Sequence, residues 1–515
     1  MTRLKGYRNS LTWSFWRRVR QAVQILALVL YVYLLFAALQ RRAAFPLADL
    51  FFRLDPLAAL AAHMSGRAWI PRLGLAVLTL CLTLLLGRVW CGWLCPLGTL
   101  LEWVGGTKSE SQITDNKSRI ATSKYVILLL ILAAALFGNL SLLVLDPLTI
   151  LTRTMTTAIL PALNYAVTAT EHALYTLPGL RPPIDWLEKL LRGPVLPVAQ
   201  PAFDQNALIV LLFAGLLALN LLAERFWCRY LCPLGALLGL LARVSLLRPM
   251  IRPACNRCGQ CVDACRVGAI DTRQGYEILP AECTVCLDCL AVCPASGIGF
   301  RAHLQPAPAS DYDPSRRQAL AALAVGAAGV AVLRSGTQAK SSHPQLIRPP
   351  GVDDELDFLA RCLRCSQCMK VCPTSGLQPV LFEAGLEGLW TPRLVPRLGY
   401  CDYSCNACGQ VCPSGAIPLL ELEGKRQAVI GVAVIDRDLC LPWAHGTACI
   451  VCEEMCPTPD KAIRLEEAMV SDDHGEPVVV QRPYVLPELC IGCGICEYQC
   501  PLEGQAAIRV YDTNL

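Results

Sequence analysis

Residues 283–294 read Cys283-Thr-Val-Cys286-Leu-Asp-Cys289-Leu-Ala-Val-Cys293-Pro294. Three cysteines two residues apart on a tight loop can grip three corners of a cubane. The fourth sits further on, and the proline after it stops the local helix and turns its sulfur elsewhere. This C-x2-C-x2-C-x3-C run recurs at Cys255, Cys258, Cys261, Cys265; at Cys362, Cys365, Cys368, Cys372; and at Cys490, Cys493, Cys496, Cys500. Two further quartets are stretched. Cys401, Cys405, Cys408, Cys412 has one extra residue, and Cys440, Cys449, Cys452, Cys456 carries the insertion Leu-Pro-Trp-Ala-His-Gly-Thr-Ala. Five of the six end in Cys-Pro; Arg266 follows Cys265 instead. A zinc site needs only two C-x2-C pairs and leaves the third cysteine and the Cys-Pro unexplained. A disulfide framework fits no better, because so many vicinal cysteines would pair promiscuously. The expectation is six [4Fe-4S] clusters and one-electron transfer.

In two-cluster ferredoxins the fourth cysteine ligates the other cluster. Cys255, Cys258 and Cys261 are therefore expected to share a cluster with Cys293, and Cys283, Cys286 and Cys289 with Cys265. Among the last four quartets spacing leaves two possibilities. Either neighbours pair, or the first pairs with the fourth and the second with the third. His445, inside the insertion, reads as a solvated loop histidine, a ligand or a proton carrier.

At 515 residues the chain is several domains by length. A mean hydropathy of +0.43 and 54% hydrophobic residues exceed an ordinary soluble protein. Four apolar runs, 22–39, 70–87, 125–144 and 206–223, are long enough to cross a bilayer. A fifth, Ala/Gly-rich run at 319–333 is weaker. Residues 336–515 carry 14 Lys/Arg against 23 Asp/Glu, a balance of −9 that leaves +14 for the rest. The basic excess clusters before the first run, between the second and third, and after the fourth, which places those segments on the cytoplasmic side. Nucleic-acid binding explains this pattern poorly. The acidic back half suits either a basic partner such as a soluble cytochrome or a solvated surface.

The membrane half is duplicated. Trp90-Cys-Gly-Trp-Leu-Cys-Pro-Leu-Gly98 recurs as Trp227-Cys-Arg-Tyr-Leu-Cys-Pro-Leu-Gly235, and Leu54-Asp-Pro-Leu57 recurs as Leu145-Asp-Pro-Leu148. Such a repeat makes a pseudosymmetric interface where a site can lie. Cys91 and Cys95, like Cys228 and Cys232, are four apart and so expected on one helix face. They read as a seventh metal or cluster site, a redox-active quartet, or structural helix ends. Asp55 and Asp146 read as N-caps before a proline, or as surface carboxylates accepting protons from a quinol. His63 and His172 read as surface histidines or as quinol or haem partners, and Cys81 as a packing residue. Ser315-Arg316-Arg317-Gln318-Ala319-Leu320, after the Pro/Ala/Asp-rich residues 304–314, resembles a twin-arginine export signal with Ala319 in place of phenylalanine. The other readings are an ordinary fifth anchor or a soluble core helix. The first two put residues 340–515 outside the cytoplasm; the third keeps all six clusters inside.

To about residue 300 the chain resembles the NapH family of membrane quinol-dehydrogenase components, on Trp90–Gly98, Trp227–Gly235, the two Leu-Asp-Pro-Leu motifs and the quartets ending at Cys265 and Cys293. From Ser315 onward it resembles the NapG/MauM ferredoxin family. The match rests on the twin-arginine start, Arg361-Cys-Leu-Arg-Cys-Ser-Gln-Cys368, the Cys440-x8-Cys449 insertion and Cys490-Ile-Gly-Cys-Gly-Ile-Cys496. The resemblance implies a natural fusion that takes electrons from the quinone pool at the membrane. They would pass to an extracytoplasmic partner, a cytochrome or a molybdenum-type reductase. The related NosR and MauN types keep a role in maturing or reactivating a partner metalloenzyme open, and ferredoxin-to-quinone flow is a third reading.

The expected architecture is a membrane all-α helical bundle of four spans with an internal two-fold repeat, a fifth anchor, and α+β ferredoxin-like iron–sulfur domains. The expected boundaries are a basic cytoplasmic N-terminus at 1–20, the membrane core at 21–247, a cytoplasmic two-cluster domain at 248–303, linker and fifth span at 304–341, and an extracytoplasmic four-cluster domain at 342–515. Short strands are expected around 428–436, 477–486 and 506–511. The expected location is the cytoplasmic membrane. Two clusters then lie across the membrane from the other four, and the Cys-x3-Cys-Pro thiols are the residues placed to explain the crossing.

Overall fold

The computed structural model describes the whole chain except residues 1, 40–46, 106–116, 178, 180, 193–195, 198–199, 273–274, 303–315, 339–343, 472–476 and 513–515. The 304–314 linker and Ser315 lie outside the described residues. The chain divides into two compact units. One comprises Met1–Leu35, Asp49–Leu151 and Leu208–Val330; the other comprises Phe36–Ala48, Thr152–Ala207 and Ala331–Leu515. The expected 21–247 core is thus not one body, because residues 152–207 group with the four-quartet region.

The helices wholly or partly in the first unit are α1 (Thr2–Leu39), α2 (Pro56–Gly66), α3 (Ala76–Leu86), α4 (Pro96–Val104), α5 (Lys117–Leu136), α6 (Pro147–Thr154), α7 (Asn206–Ala218), α8 (Pro233–Ala242) and α9 (Arg316–Gln338). The division falls within α1, α6, α7 and α9, so that Arg153, near the end of α6, belongs to the second unit. The motif duplication is structural. Each Cys-x3-Cys-Pro forms a π-helical turn, Trp90–Leu94 or Trp227–Leu231, and the second cysteine turns extended (φ −69°, ψ 115° at Cys95; φ −69°, ψ 112° at Cys232). Proline forces this: it disfavours the helical region at the residue before it and is tolerated at the first helical position. Cys95 and Cys232 therefore become N-caps of α4 and α8, and do not share a helix face with Cys91 and Cys228.

One described helix stretch, Phe15–Ala38, is long and apolar enough to cross a membrane. The other expected spans are shorter helical stretches, Pro71–Leu86, Thr122–Leu136, Asn206–Leu221 and Arg317–Val332. Counting apolar residues misses the breaks: Gly87 and Gly138 adopt φ +79° and +76°, and Pro71–Leu75 is a 3-10 turn. Several of these helices nonetheless expose large apolar side chains, among them Leu26, Val29, Leu78, Leu85, Leu211 and Val325. α9 packs on α5 at Gly326, where an added Cβ would lie 2.7 Å from the Ala133 Cβ. Cys81 is exposed on α3, not packed.

The two-quartet domain follows α8. Leu247–Ile251 pairs antiparallel with Ile298–Ala302, and Ile270–Asp271 with Glu277–Ile278. Ile270, Ile278, Leu290 and Ile298 form its small core. In the second unit the ladders are Leu377–Pro379 with Pro392–Leu394, Val432–Ile435 with Ile508–Tyr511, and a hairpin of Ile463–Ser471 with Pro477–Val485. Strands thus form within 428–436, 477–486 and 506–511. The unexpected partner Ile463–Ser471 lacks a clean alternation, with Glu466 and Glu467 adjacent. The Leu441–Ala444 part of the insertion is a helical turn, with Trp443 stacked by Arg437 and Arg482 at 4.3 and 4.5 Å.

Candidate iron–sulfur centres and redox site

The four regular quartets share one loop conformation. The residues flanking the second cysteine are left-handed in each: Arg257 and Gly259, Val285 and Leu287, Arg364 and Ser366, Gly492 and Gly494, with φ between 52° and 82°. For the non-glycine residues this costs about 1–2 kcal/mol each, a strain characteristic of built sites. The third cysteine then starts a short helix, and in the three that end in Cys-Pro the fourth is turned outward by its proline, with φ −73°, ψ 108° at Cys293 and φ −68°, ψ 115° at Cys372.

The thiols gather as crossed sets. Cys261 lies within electrostatic reach of Cys255 and Cys293, and Cys283, Cys286 and Cys289 all lie within reach of Cys265. In the second unit neighbours cross: Cys362, Cys365 and Cys368 meet Cys412. Cys372, Cys401, Cys405 and Cys408 line one apolar cavity of about 420 Å³. Cys440, Cys449, Cys452 and Cys500 line another of about 400 Å³. Cys490, Cys493 and Cys496 face Cys456. Burial pushes Cys401 and Cys440 up to about 11, and Cys283, Cys286, Cys452 and Cys493 up to about 12. Thiolates here therefore need a cationic metal beside them. Four-thiol cavities with apolar walls fit a cubane cluster.

The sets also touch one another. Cys408 joins the Cys362 and Cys401 sets through Cys368, and Cys452 joins the Cys440 and Cys490 sets through Cys496. Between those pairs, the Cys401 N–H donates to the Cys493 carbonyl at 2.8 Å. Arg397 clamps the carbonyls of Glu497, Cys500, Leu502 and Gly504. The spatial order is therefore the Cys362, Cys401, Cys490 and Cys440 sets, which is not the order along the chain.

In the first unit the duplicated motifs converge. Cys91, Cys95, Cys228 and Cys232 are each within electrostatic reach of the other three. Gly98 N–H donates to Cys95 Sγ (3.4 Å) and Gly235 N–H to Cys232 Sγ (3.2 Å). Buried Arg88, Lys124 and Arg225 surround the four, a cationic shell suited to a thiolate-bound metal centre. The ferredoxin loop 281–285 sits directly on this turn. Arg88 Nη1 donates to the Ala281 carbonyl (2.7 Å) and Trp93 Nε1 to that of Val285 (3.0 Å), and Lys124 pairs with Glu282.

A second, wider network fixes the same domain. Buried Glu102 accepts from Arg20 (3.0 Å) and Arg225 (2.8 Å), and Arg266 lies 3.6 Å from it. Arg266 also bonds Asp288 and Glu224, both at 3.0 Å. The arginine standing where the other quartets have proline is thus an anchor. Burial pushes the Glu102 carboxyl up, but Arg225 and Arg20 outweigh it and hold it down at about 2.

Asp55 and Asp146 are fully buried, not at a surface. Each caps its helix: Asp55 accepts from Leu57 and Ala58 N–H at 2.8 and 3.2 Å, and Asp146 from Leu148 and Thr149 N–H at 3.0 and 2.9 Å. Their remaining oxygens have no other partner among the described residues, and the two side chains are in hydrogen-bond reach of each other. Facing carboxyls this deeply buried favour sharing one proton over carrying two charges. His63 is spent locally, its Nδ1 on the Ala59 carbonyl (2.5 Å) and its Nε2 accepting from Ile70 N–H (3.1 Å); His172 is exposed. His445 ends the Leu441–Ala444 turn, its N–H donating to the Leu441 carbonyl.

Known proteins resemble this chain in sequence. MauM of Methylorubrum extorquens, a methylamine utilization ferredoxin-type protein, is 38% identical over 216 residues, covering 40% of this chain and 93% of MauM. The ferredoxin-type protein NapG of Escherichia coli is 37% identical over 195 residues, covering 37% of this chain and 80% of NapG. The chain belongs to the MauM/NapG family of ferredoxin-type proteins. The ferredoxin-type protein NapH of Escherichia coli is 24% identical over 250 residues, covering 46% of this chain and 71% of NapH. This MauM/NapG member therefore joins a NapH-like part in one polypeptide. A family model described as a 4Fe-4S binding domain matches residues 68–111 and 205–252, one copy on each Cys-x3-Cys-Pro motif. Another so described matches 483–503. No solved structure matches. This family member is an iron–sulfur electron-transfer protein.

The docking of loop 281–285 gives a direct test. Gly92 stands where the second repeat has Arg229, because a Cβ there would lie 2.2 Å from the Thr284 carbonyl oxygen. Gly92→Ala is expected to cost about 1–3 kcal/mol, read as a lowered melting temperature and faster proteolysis near Thr284. Gly215→Ala, in a helix interior with open space around it, should neither lower the melting temperature nor hasten that cleavage.

Proposed function

We propose that this protein oxidises quinol at the cytoplasmic membrane and delivers the electrons to an extracytoplasmic redox partner. The observation that carries the reading is the convergence of the four Cys-x3-Cys-Pro thiols beneath the loop leading to Cys283. It supports a buried redox site next to a cysteine set. Six [4Fe-4S] clusters held by the crossed sets, with a seventh centre on Cys91, Cys95, Cys228 and Cys232, supply one-electron chemistry. The chain's residues insulate them in apolar walls and space them in series. Apolar side chains exposed on α1, α3, α7 and α9 support a multi-pass, lipid-facing bundle. The twin-arginine resemblance supports an extracytoplasmic position for 342–515.

In this reading Asp55 and Asp146 receive a quinol proton, because a pair sharing one proton has room for a second. The experiment adds a quinol analogue to the anaerobic protein and follows cluster reduction by EPR. Reduction is expected, slowed about 10²–10⁴-fold in Asp55→Asn with the cluster content intact. No reduction of any cluster with a competent partner present would sink the reading, and reduction only by a low-potential ferredoxin would favour flow toward quinone.

A further inference from the structure

The Cys362 set has a neighbour from far away in sequence. Helix α6, opened by the second Leu-Asp-Pro-Leu motif, ends beside it, and the π turn Met155–Ile159 that follows packs on the Gln367–Val371 helix. Arg153 is 5% exposed and lies near Arg364 and the Cys365 thiol. Its guanidinium stacks 3.8 Å from the Trp390 ring centre. Arg153 Nε and Nη1 and Trp390 Nε1 have no hydrogen-bond partner among the described residues. Trp390 is itself held at φ +59°.

Buried donors left unpaired cost about 1–3 kcal/mol each, and a buried guanidinium without an anion costs more. Three such donors, on an arginine within electrostatic reach of the Cys365 thiol and on the ring it stacks against, call for a compact anion that accepts through sulfur. We infer that Arg153 is a positioning residue for the cluster held by Cys362, Cys365, Cys368 and Cys412, donating to its sulfurs and raising its reduction potential. Reduction adds one negative charge to the cluster. A cation in a low-dielectric pocket favours that reduced state, and hydrogen bonds to sulfur act in the same direction. The cluster is thereby marked as the electron-receiving end of the four. The mark comes from residue 153, outside the 342–515 region that supplies every ligand of those clusters.

The inference rests on the cluster reading above, which iron and sulfide analysis of the wild type tests separately. The deciding measurement is an EPR-monitored redox titration of the full-length protein. In Arg153→Gln one midpoint should move negative by about 59 mV or more, a tenfold change for one electron. The others should stay, and the displaced signal should be the one missing from Cys412→Ala. Arg153→Lys should restore most of the shift. All midpoints unchanged in Arg153→Gln at full cluster content would overturn the inference. Where Arg153→Gln loses clusters, Trp390→Phe keeps the stacking ring and deletes one donor. A smaller negative shift of the same midpoint supports the inference, and an unchanged midpoint in Trp390→Phe at full cluster content overturns it.

Discussion

Glu102→Gln is expected to destabilise the first unit by about 3–5 kcal/mol at neutral pH. The substitution keeps the shape and removes the one charge that Arg20, Arg225 and Arg266 share. Arg20 and Arg225 are buried and cannot turn to water, so each is left partly uncompensated. The pH dependence has a definite sign. Glu102 is held at about 2 in the folded chain, against about 4.3 for an ordinary glutamate. Its contribution is therefore fully present above about pH 4.3 and is lost as pH falls through about 2. Thermal melts in detergent should show wild type and Glu102→Gln far apart at pH 7 and converging at acid pH. A constant difference across that range would mean that Glu102 acts by packing alone.

Cys293→Ala and Cys265→Ala should each abolish the cluster of the other quartet. Losing Cys293 is expected to remove the centre on Cys255, Cys258 and Cys261 while sparing the one on Cys283, Cys286 and Cys289, and losing Cys265 should do the reverse. Iron content should fall by one cluster in each case. EPR of each variant paired with Cys258→Ala identifies which centre went: Cys293→Ala with Cys258→Ala should lose no more than either alone. A further loss of iron in that double variant would show that the quartets are uncrossed.

Much of this was legible in the sequence because metal ligation fixes spacing locally. Three thiols on one loop must be two residues apart, so the regular quartets announce themselves, and proline before a helix announces the duplicated turns. What spacing cannot give is which loop lies opposite. The neighbour pairing of Cys372 with Cys401, Cys405 and Cys408 needed the cavity that they line. Cys91 and Cys95 were expected on one helix face because a four-residue interval was read without the extended conformation that Pro96 imposes. Arg266 looked like a lapse in the Cys-Pro pattern. Its role depends on Glu102, Glu224 and Asp288, three acids scattered through the sequence. Helix lengths were overestimated because apolar composition does not register Gly87, Gly138 or a 3-10 turn. The legible signal for Asp55 and Asp146 was their repetition; that the two face each other is a property of the fold.

The crossed thiols also bear on what the chain is without its metal. Every described sheet has only two strands, too little to stand alone in water, and the third cysteines sit on helices of four or five residues in the four regular quartets. What ties loop to loop is sulfur bound to iron. Each cluster then acts as a cross-link, removing loop freedom from the unfolded chain much as a disulfide does. For these domains a chelator or an oxidant is a denaturant, and the lifetime of the fold is the lifetime of its iron.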